Sequence, residues 1–322
     1  MTIARTSPPA KLNLFLEIPA KREDGYHEID TTMVAIDWRD ELVVESIPEP
    51  VIELTVQWLP SLREVASRLG LSTDPVPELL RVPTDESNLV YKALQRFREQ
   101  FGISTGFRAR LGKRIPSGAG MGGASSDAAH SLLCAAQLHQ IDSAGVLHEL
   151  AAEIGSDVPF FLTESPSDVL LAARARGRGE QLSVLQRRTP LHFVVAFPND
   201  GLSTSAVYRQ LRVPEDPVDA SPFLRVFERD QNDQLSNVMM NRLTEPAFEI
   251  MPAVRHLLES LEQSGLHPCQ LTGSGSACFG IARDSDEART VVGQLRSELQ
   301  PGVLVQAVQM VPPVSPILVE EE

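Results

Sequence analysis

The chain has 322 residues, 42% of them hydrophobic and 22% charged, with 29 Lys plus Arg against 43 Asp plus Glu and a formal net charge of −14. That composition excludes a disordered or collagen-like chain and suits one large or two ordinary globular domains. Its field repels phosphate backbones and anionic head groups, so neither nucleic acid nor a membrane surface is an expected partner. Any small anionic substrate would have to be captured locally, by dipoles and a few placed cations.

Taken in chain order, residues 12–18 (LNLFLEI) and 33–44 read as strands joined by the polar turn KREDGYHEID. Segment 58–71 carries Leu62, Val65, Ala66 and Leu69 at helical spacing and leads into a Pro-rich stretch ending at Pro83, which together read as an insertion. TDESNLVYKALQRFREQFG reads as a helix with Ser87 or Asp85 as N-cap and Gly102 as its stop. A strand at 107–111, a glycine-rich loop at 113–123 and a helix beginning ASSDAA follow, then a second helix at 143–154. Strands at 169–173 and 191–197 open a new layer, with a domain boundary near 166. The rest reads as a helix at 203–211, helices through 235–264, strands at 269–272 and 277–282, a helix at 284–299, a strand at 303–310 and a solvated VEEE end.

Three cysteines, Cys134, Cys269 and Cys278, at no CxxC or CxxH spacing exclude a disulfide framework and a structural zinc site. With no signal-peptide core and no apolar run near the length of a membrane span, a cytoplasmic location is expected.

PSGAGMGGASSDAA, Pro116 to Ala129, is the strongest local feature. Its glycines permit tight turning and close ligand approach, and the helix that follows directs its free N–H groups and dipole at the loop, which makes an anion cradle. The competing reading is a turn that only packs helix on strand. Gly118, Gly120 and Gly123 satisfy the dinucleotide fingerprint G-x-G-x-x-G, with Asp142 nineteen residues on. The residues before Asp142 belong to a helix and not to a second strand, so that reading fails. A Walker A loop fails as well, because Gly106 and Gly112 are separated by five residues and Arg114 stands where Ser or Thr is required.

Lys11 and Asn13 share one face of the first strand, with Leu12, Leu14 and Leu16 on the other. Tyr26 and His27 form a turn able to stack on and hydrogen-bond a planar base. Asp157, in GSDVPFFL, sits between a helix end and an apolar run, where a carboxylate needs a partner. LTGSGSACFGI, 271–281, is a second glycine-rich turn.

PAKLNLFL, PSGAGMGGASSDAA and LTGSGSACFGI resemble the three motifs of the superfamily of galactokinase, homoserine kinase, mevalonate kinase and phosphomevalonate kinase, the GHMP kinases. With DGYHEIDT, TDESNLVYKA, GSDVPFFL and GRGE, the chain looks most like the branch acting on a cytidine diphosphate derivative of methylerythritol. The resemblance implies an α+β, two-domain fold. Its N-terminal ATP-binding domain, of the ribosomal protein S5 domain 2 type, would span 1–166 with the insertion near 50–83, and its C-terminal α/β sandwich 167–322, with the cleft between them.

The resemblance further implies ATP and Mg2+ as co-substrate and cofactor, and phosphorylation of a 2-hydroxyl in the non-mevalonate route to isoprenoid precursors. Pro116, Ser117, Gly118, Ala119, Gly120, Met121, Gly122, Gly123, Ala124, Ser125 and Ser126 would wrap the ATP phosphates. Asp157 would take the hydroxyl proton, while Lys11 keeps it ionised and orients the hydroxyl beside Asn13. Tyr26 and His27 would hold the cytosine, with Tyr208 on its other face. The family's Asn-Asp-Leu-Glu is read at SNVMMN, with Asn237 matching and Val238 replacing the acid. The arginines of RARGRG (Arg174, Arg176, Arg178) read as an exposed hairpin that could instead touch a diphosphate. No spacing marks a metal ligand or an oligomeric state. Another small-alcohol kinase of the superfamily and a non-catalytic nucleotide-binding regulator are the competing functions.

Overall fold

The computed structural model describes residues 2–163, 170–299 and 302–321. The boundary expected near 166 therefore lies outside the described residues. Two sheets organise the chain. In the first, β1 (Thr2–Thr6), β4 (Glu41–Ile47), β5 (Ile52–Trp58), β6 (Gly106–Lys113) and β14 (Leu318–Glu321) lie in the order β14-β1-β4-β6-β5, with β5 parallel to β6 and the other pairs antiparallel. In the second, β2 (Pro9–Lys21), β3 (His27–Arg39), β9 (His192–Phe197), β10 (Met240–Asn241), β11 (Cys269–Leu271), β12 (Cys278–Ala282) and β13 (Leu304–Val311) run in the order β10-β2-β3-β13-β9-β12-β11. The hairpin of β7 (Leu170–Gly177) and β8 (Gln181–Arg187) attaches to β3.

Strand β3 joins the two halves. Successive strand residues face opposite sides, and here both sides are core. Met33 and Ala35 pack with α2 (Leu89–Phe101), α3 (Gly123–Leu138) and α4 (Ala144–Ile154), while Val34 and Ile36 pack with Phe193, Phe223 and Phe279 of the later chain. A third core lies on the far side of β9, β12 and β13, where α5 (Thr204–Gln210), α7 (Thr244–Ile250), α8 (Pro252–Gln263) and α9 (Ser285–Glu298) contribute Val207, Ala247, Leu257 and Val292. The short α6 (Ser221–Glu228) supplies Phe223 and Phe227 to the shared core.

The structure corrects three local expectations and shows where the insertion packs. The helix of 58–71 is only α1 (Leu62–Arg68), capped by Ser61, because Trp58 still belongs to β5. The insertion it belongs to packs on the body: Trp58, Val65, Leu69 and Leu80 are core residues and the Trp58 indole N–H donates to the Leu80 carbonyl at 2.8 Å. The N-cap of α2 is Asn88, whose side chain accepts from Val90 N at 2.9 Å. Asp85 instead accepts from the Ser87 amide and hydroxyl to close the preceding turn. The acidic tail, though exposed, is the strand β14 paired with β1.

Candidate active site

A cleft of about 1220 Å³ opens where the glycine loop, the DGYH turn, the Asp157 turn and the 273–274 turn converge. It exceeds the usual volume of a site for a single drug-sized ligand, so two substrates can share it.

On its floor, β2 presents Lys11 and Asn13 side by side. Lys11 is only 3% exposed, and its Nζ donates to Asn13 Oδ1 at 2.6 Å and to the Gly120 carbonyl at 2.7 Å. The same ammonium stands 3.6 Å from Asp157 Oδ2, whose side chain is 33% exposed. Burial lowers the Lys11 pKa, and the attraction of Asp157 works against that. Asn13 is locked in place by donating to Thr31 Oγ1 at 2.8 Å, while its backbone N–H donates to Thr272 Oγ1 at 3.1 Å. A bulge between Asn13 and Phe15 shifts the alternation of β2, so Leu16, expected on the opposite face, lines the cleft. Asp157 is held from the chain side. Gly155 ends α4, and the fully buried Val158, Phe160 and Phe161 fix the segment that follows.

The glycine loop faces the cleft with its donors. The carbonyl of Gly118 accepts from Leu202 N and Ser276 N, both at 3.3 Å, and that of Ala119 from Ala277 N at 3.2 Å. The carbonyls of Gly120 and Met121 are taken by the Lys11 side chain and backbone. In a planar trans peptide the following N–H points the opposite way, so the N–H groups of Ala119 to Gly122 turn away from the protein body. The first-turn N–H groups of α3, which lack intrahelical acceptors, continue this row. One expectation changes here. A Cβ on Gly120 would meet the Thr272 carbonyl at 2.2 Å, and one on Gly122 the Lys11 side chain at 3.0 Å, so these glycines make room for protein and not for ligand.

At the other end of the cleft, the rings of His27 and Tyr208 pack at 5.0 Å, and Tyr26 stands at the rim, 58% exposed, beneath the Arg178 guanidinium at 5.3 Å. Burial pushes the Tyr208 phenol up, with Asp157 adding to it, and burial ahead of Lys21 lowers His27. Tyr208 thus has His27 as its ring neighbour, with Tyr26 set apart at the edge. The RARGRG arginines divide: Arg174 forms a bidentate pair with Asp30 at 2.6 and 2.7 Å, Arg176 is exposed, and Arg178 reaches the cleft.

Sequence reasoning missed three contributions. Asn241, and not Asn237, braces the second glycine turn, donating to the carbonyls of Leu271 at 2.9 Å and Gly273 at 2.8 Å. Val238 simply packs on the core. Arg81 and Val82 of the insertion line the cleft. Behind the loop, Lys113 is buried between Asp127, 14 positions on, and Asp40, 73 positions back, and it is the distant Asp40 that the sequence does not connect to the loop. Among the described residues no group of three or more His, Cys, Asp or Glu is gathered to hold a metal.

The model for the GHMP kinases N terminal domain matches residues 88–169 and that for the GHMP kinases C terminal matches 224–300. The 4-diphosphocytidyl-2-C-methyl-D-erythritol kinase of Rhodopirellula baltica is 45% identical over 312 residues, covering 94% of each chain. The chain belongs to the 4-diphosphocytidyl-2-C-methyl-D-erythritol kinases, a GHMP kinase family. The relative of the same name in Thermus thermophilus is 36% identical over 296 residues, 90% of this chain and 91% of that one. A crystal structure of a 4-(cytidine 5'-diphospho)-2C-methyl-D-erythritol kinase superposes with a TM-score of 0.72 at 32% identity, covering 94% and 98% of the two chains. Homoserine kinase from Cytophaga hutchinsonii, at 17% identity and a TM-score of 0.69 over 99% and 97%, shares the fold. The α+β GHMP architecture and the kinase class expected from the motifs are therefore confirmed. No described helix is long and apolar enough to cross a membrane.

Proposed function

We propose that the protein transfers the γ-phosphoryl group of ATP to the 2-hydroxyl of 4-diphosphocytidyl-2-C-methyl-D-erythritol, a step in building isoprenoid precursors. The observation that carries the reading is the Lys11–Asp157 pair at 3.6 Å, standing between an N–H cradle and an aromatic end of the same cleft. Asp157 accepts the hydroxyl proton, and the freed oxygen forms the new bond to the γ-phosphorus as the bond to the bridging oxygen breaks and ADP leaves. Lys11, fixed by Asn13 and the Gly120 carbonyl, orients the hydroxyl and offsets the negative charge that builds up there. The cradle from Pro116 to Ser126 positions the triphosphate, and Tyr26, His27 and Tyr208 hold the cytosine.

The N–H row of the cradle binds phosphate oxygens and does not ligate a cation, but the Ser117 and Ser125 hydroxyls and the Asp157 carboxylate, which line the same cleft, are oxygen donors that would hold Mg2+ together with the phosphates, where it would neutralise charge on the transferred group. Three free cysteines and a chain without a described membrane span support a cytoplasmic setting. A coupled ADP-release assay across the cytidine diphosphate substrate, mevalonate, homoserine and galactose tests the reading. Turnover confined to the first supports it, preference for another acceptor replaces it, and silence on all four points to a non-catalytic regulator.

A further inference from the structure

Directly behind the phosphate cradle lie three ionisable side chains that the phosphoryl-transfer step does not use. Lys113, at the end of β6, is buried, and its Nζ donates to Asp40 and, at 2.7 Å, to Asp127 Oδ2. Asp40 and Asp127 are buried as well. Taking three such groups out of water costs several kcal/mol per ion, and a buried ion cluster is often replaceable by apolar residues without loss of stability. The cluster therefore calls for a role beyond holding the fold together.

Its contacts indicate that role. Asp40 Oδ1 accepts from the backbone N–H groups of Arg114 and, at 2.9 Å, Ile115, which are the two residues that lead into the cradle. The Arg114 carbonyl is fixed in turn by the Trp38 indole at 3.0 Å. Asp127 sits near the start of α3, the helix that closes the cradle, and Ile115 packs against Gly123 at its first position, where a Cβ would lie 2.9 Å away. Lys113 links both carboxylates, and its ammonium would stand 3.4 Å from that same Cβ position. One cation thus ties the strand-side entry of the loop to its helix-side exit. Asp127 Oδ1 is buried without a hydrogen-bond partner, and both Lys113 and Asp127 border the cleft. Burial holds the Asp127 carboxyl well above the usual carboxylate range, with Lys113 pulling it down and Asp40 pushing it up.

We propose that Asp40, Lys113 and Asp127 are positioning residues that fix the phosphate loop at both ends and thereby set affinity for the donor nucleotide. This rests on the reading of residues 116–126 as the triphosphate cradle. In such a network the loop N–H groups are held ready before ATP arrives, and the ordering cost is met on folding instead of on binding.

The experiment measures ATP affinity by isothermal titration calorimetry without acceptor, together with KM for ATP, KM for the cytidine diphosphate acceptor and kcat. Asp40→Asn and Lys113→Met, checked for folding by circular dichroism, should weaken ATP binding about tenfold or more and leave KM for the acceptor within about twofold. If either fails to fold, Asp127 decides. Asp127→Ala should weaken ATP binding about fivefold, and Asp127→Asn, which still offers Lys113 an oxygen, should restore it. Unchanged ATP affinity in the folded variants, or equal loss for ATP and acceptor, overturns the proposal. Ala124→Asp separates this from the parent reading, because it sets a carboxylate on the exposed first turn of α3. If Ala124→Asp leaves ATP affinity intact, the cradle assignment fails. If Ala124→Asp abolishes it and the three network positions do not matter, only the positioning role fails.

Discussion

His130 makes acid stability a direct reading of the packing around α3. The imidazole is completely buried, Ser315 N donates to its Nε2 at 3.1 Å, and its Nδ1 lies 2.9 Å from the Ser126 carbonyl. The backbone donor therefore fixes Nε2 as an acceptor and Nδ1 as the protonated nitrogen, a neutral ring with both positions satisfied. A second proton would face an N–H, lose that bond and place a charge in the interior near Arg39. Burial, ahead of that repulsion and against the pull of the Ser126 carbonyl, lowers the pKa from 6.5 to about 4. The native state thus binds the proton later than the unfolded chain, so the contribution of His130 is complete above pH ~6.5 and is lost as the pH falls toward ~4. At about 1.4 kcal/mol per unit, the loss reaches roughly 3 kcal/mol, a sizeable share of a stability of about 5–15 kcal/mol. Urea unfolding at a series of values from about pH 7.5 to about 5 measures the slope before the carboxylates dominate. His27 and His139 are lowered by burial too and add to it. His130→Gln can keep both hydrogen bonds and cannot titrate, so its curve should be flatter than that of the native protein by about 1 kcal/mol per pH unit below pH ~6.5. Identical slopes for the two proteins would refute the reasoning.

Asp157→Asn should retain ATP binding by calorimetry while kcat falls by roughly 10² or more; near-normal turnover would remove Asp157 from proton transfer. Tyr26→Ala and Tyr208→Ala should raise KM for the cytidine diphosphate acceptor and leave ATP affinity unchanged, the reverse pattern meaning that the two ends of the cleft are misassigned. Because Tyr208 is the more buried ring and packs on His27, its variant should also lower the melting temperature, whereas Tyr26→Ala should not. Asn241→Ala leaves two carbonyls of the second glycine turn without their donor and should cost about 1–3 kcal/mol of stability in urea unfolding; an unchanged midpoint would show that the turn holds without this brace.

The net charge of −14 argues against long polyanions, but it did not describe the cleft. Among the residues that line it are Lys11, Lys21, Lys113, Arg81, Arg178 and Arg209, which, with the N–H row of the loop, give a local sign opposite to that of the whole chain.

The sequence by itself determined whatever depends on near neighbours along the chain. The amphipathic spacing of α2 and its Gly102 stop, the glycine run before α3, and the pairing of Lys11 with Asn13 on one strand face are local facts, and each appears in the structure. The alternating IELTVQW of β5 is local as well, yet it lies inside the segment whose sequence reads as an insertion, and only its parallel pairing with β6 makes it part of the sheet. Only the tertiary structure decided the rest. β14 forms from an acidic tail because strand pairing needs backbone partners more than apolar side chains, and β1 supplies them from the other end of the chain. Asp40 and Lys113 meet through the antiparallel pairing of β4 with β6, and Asn241 reaches the second glycine turn through its parallel step beside β2. Such contacts join residues from thirty to more than three hundred positions apart, where no period or cap in the sequence records them, and those around the loop are what turn a recognisable glycine run into a fixed row of donors.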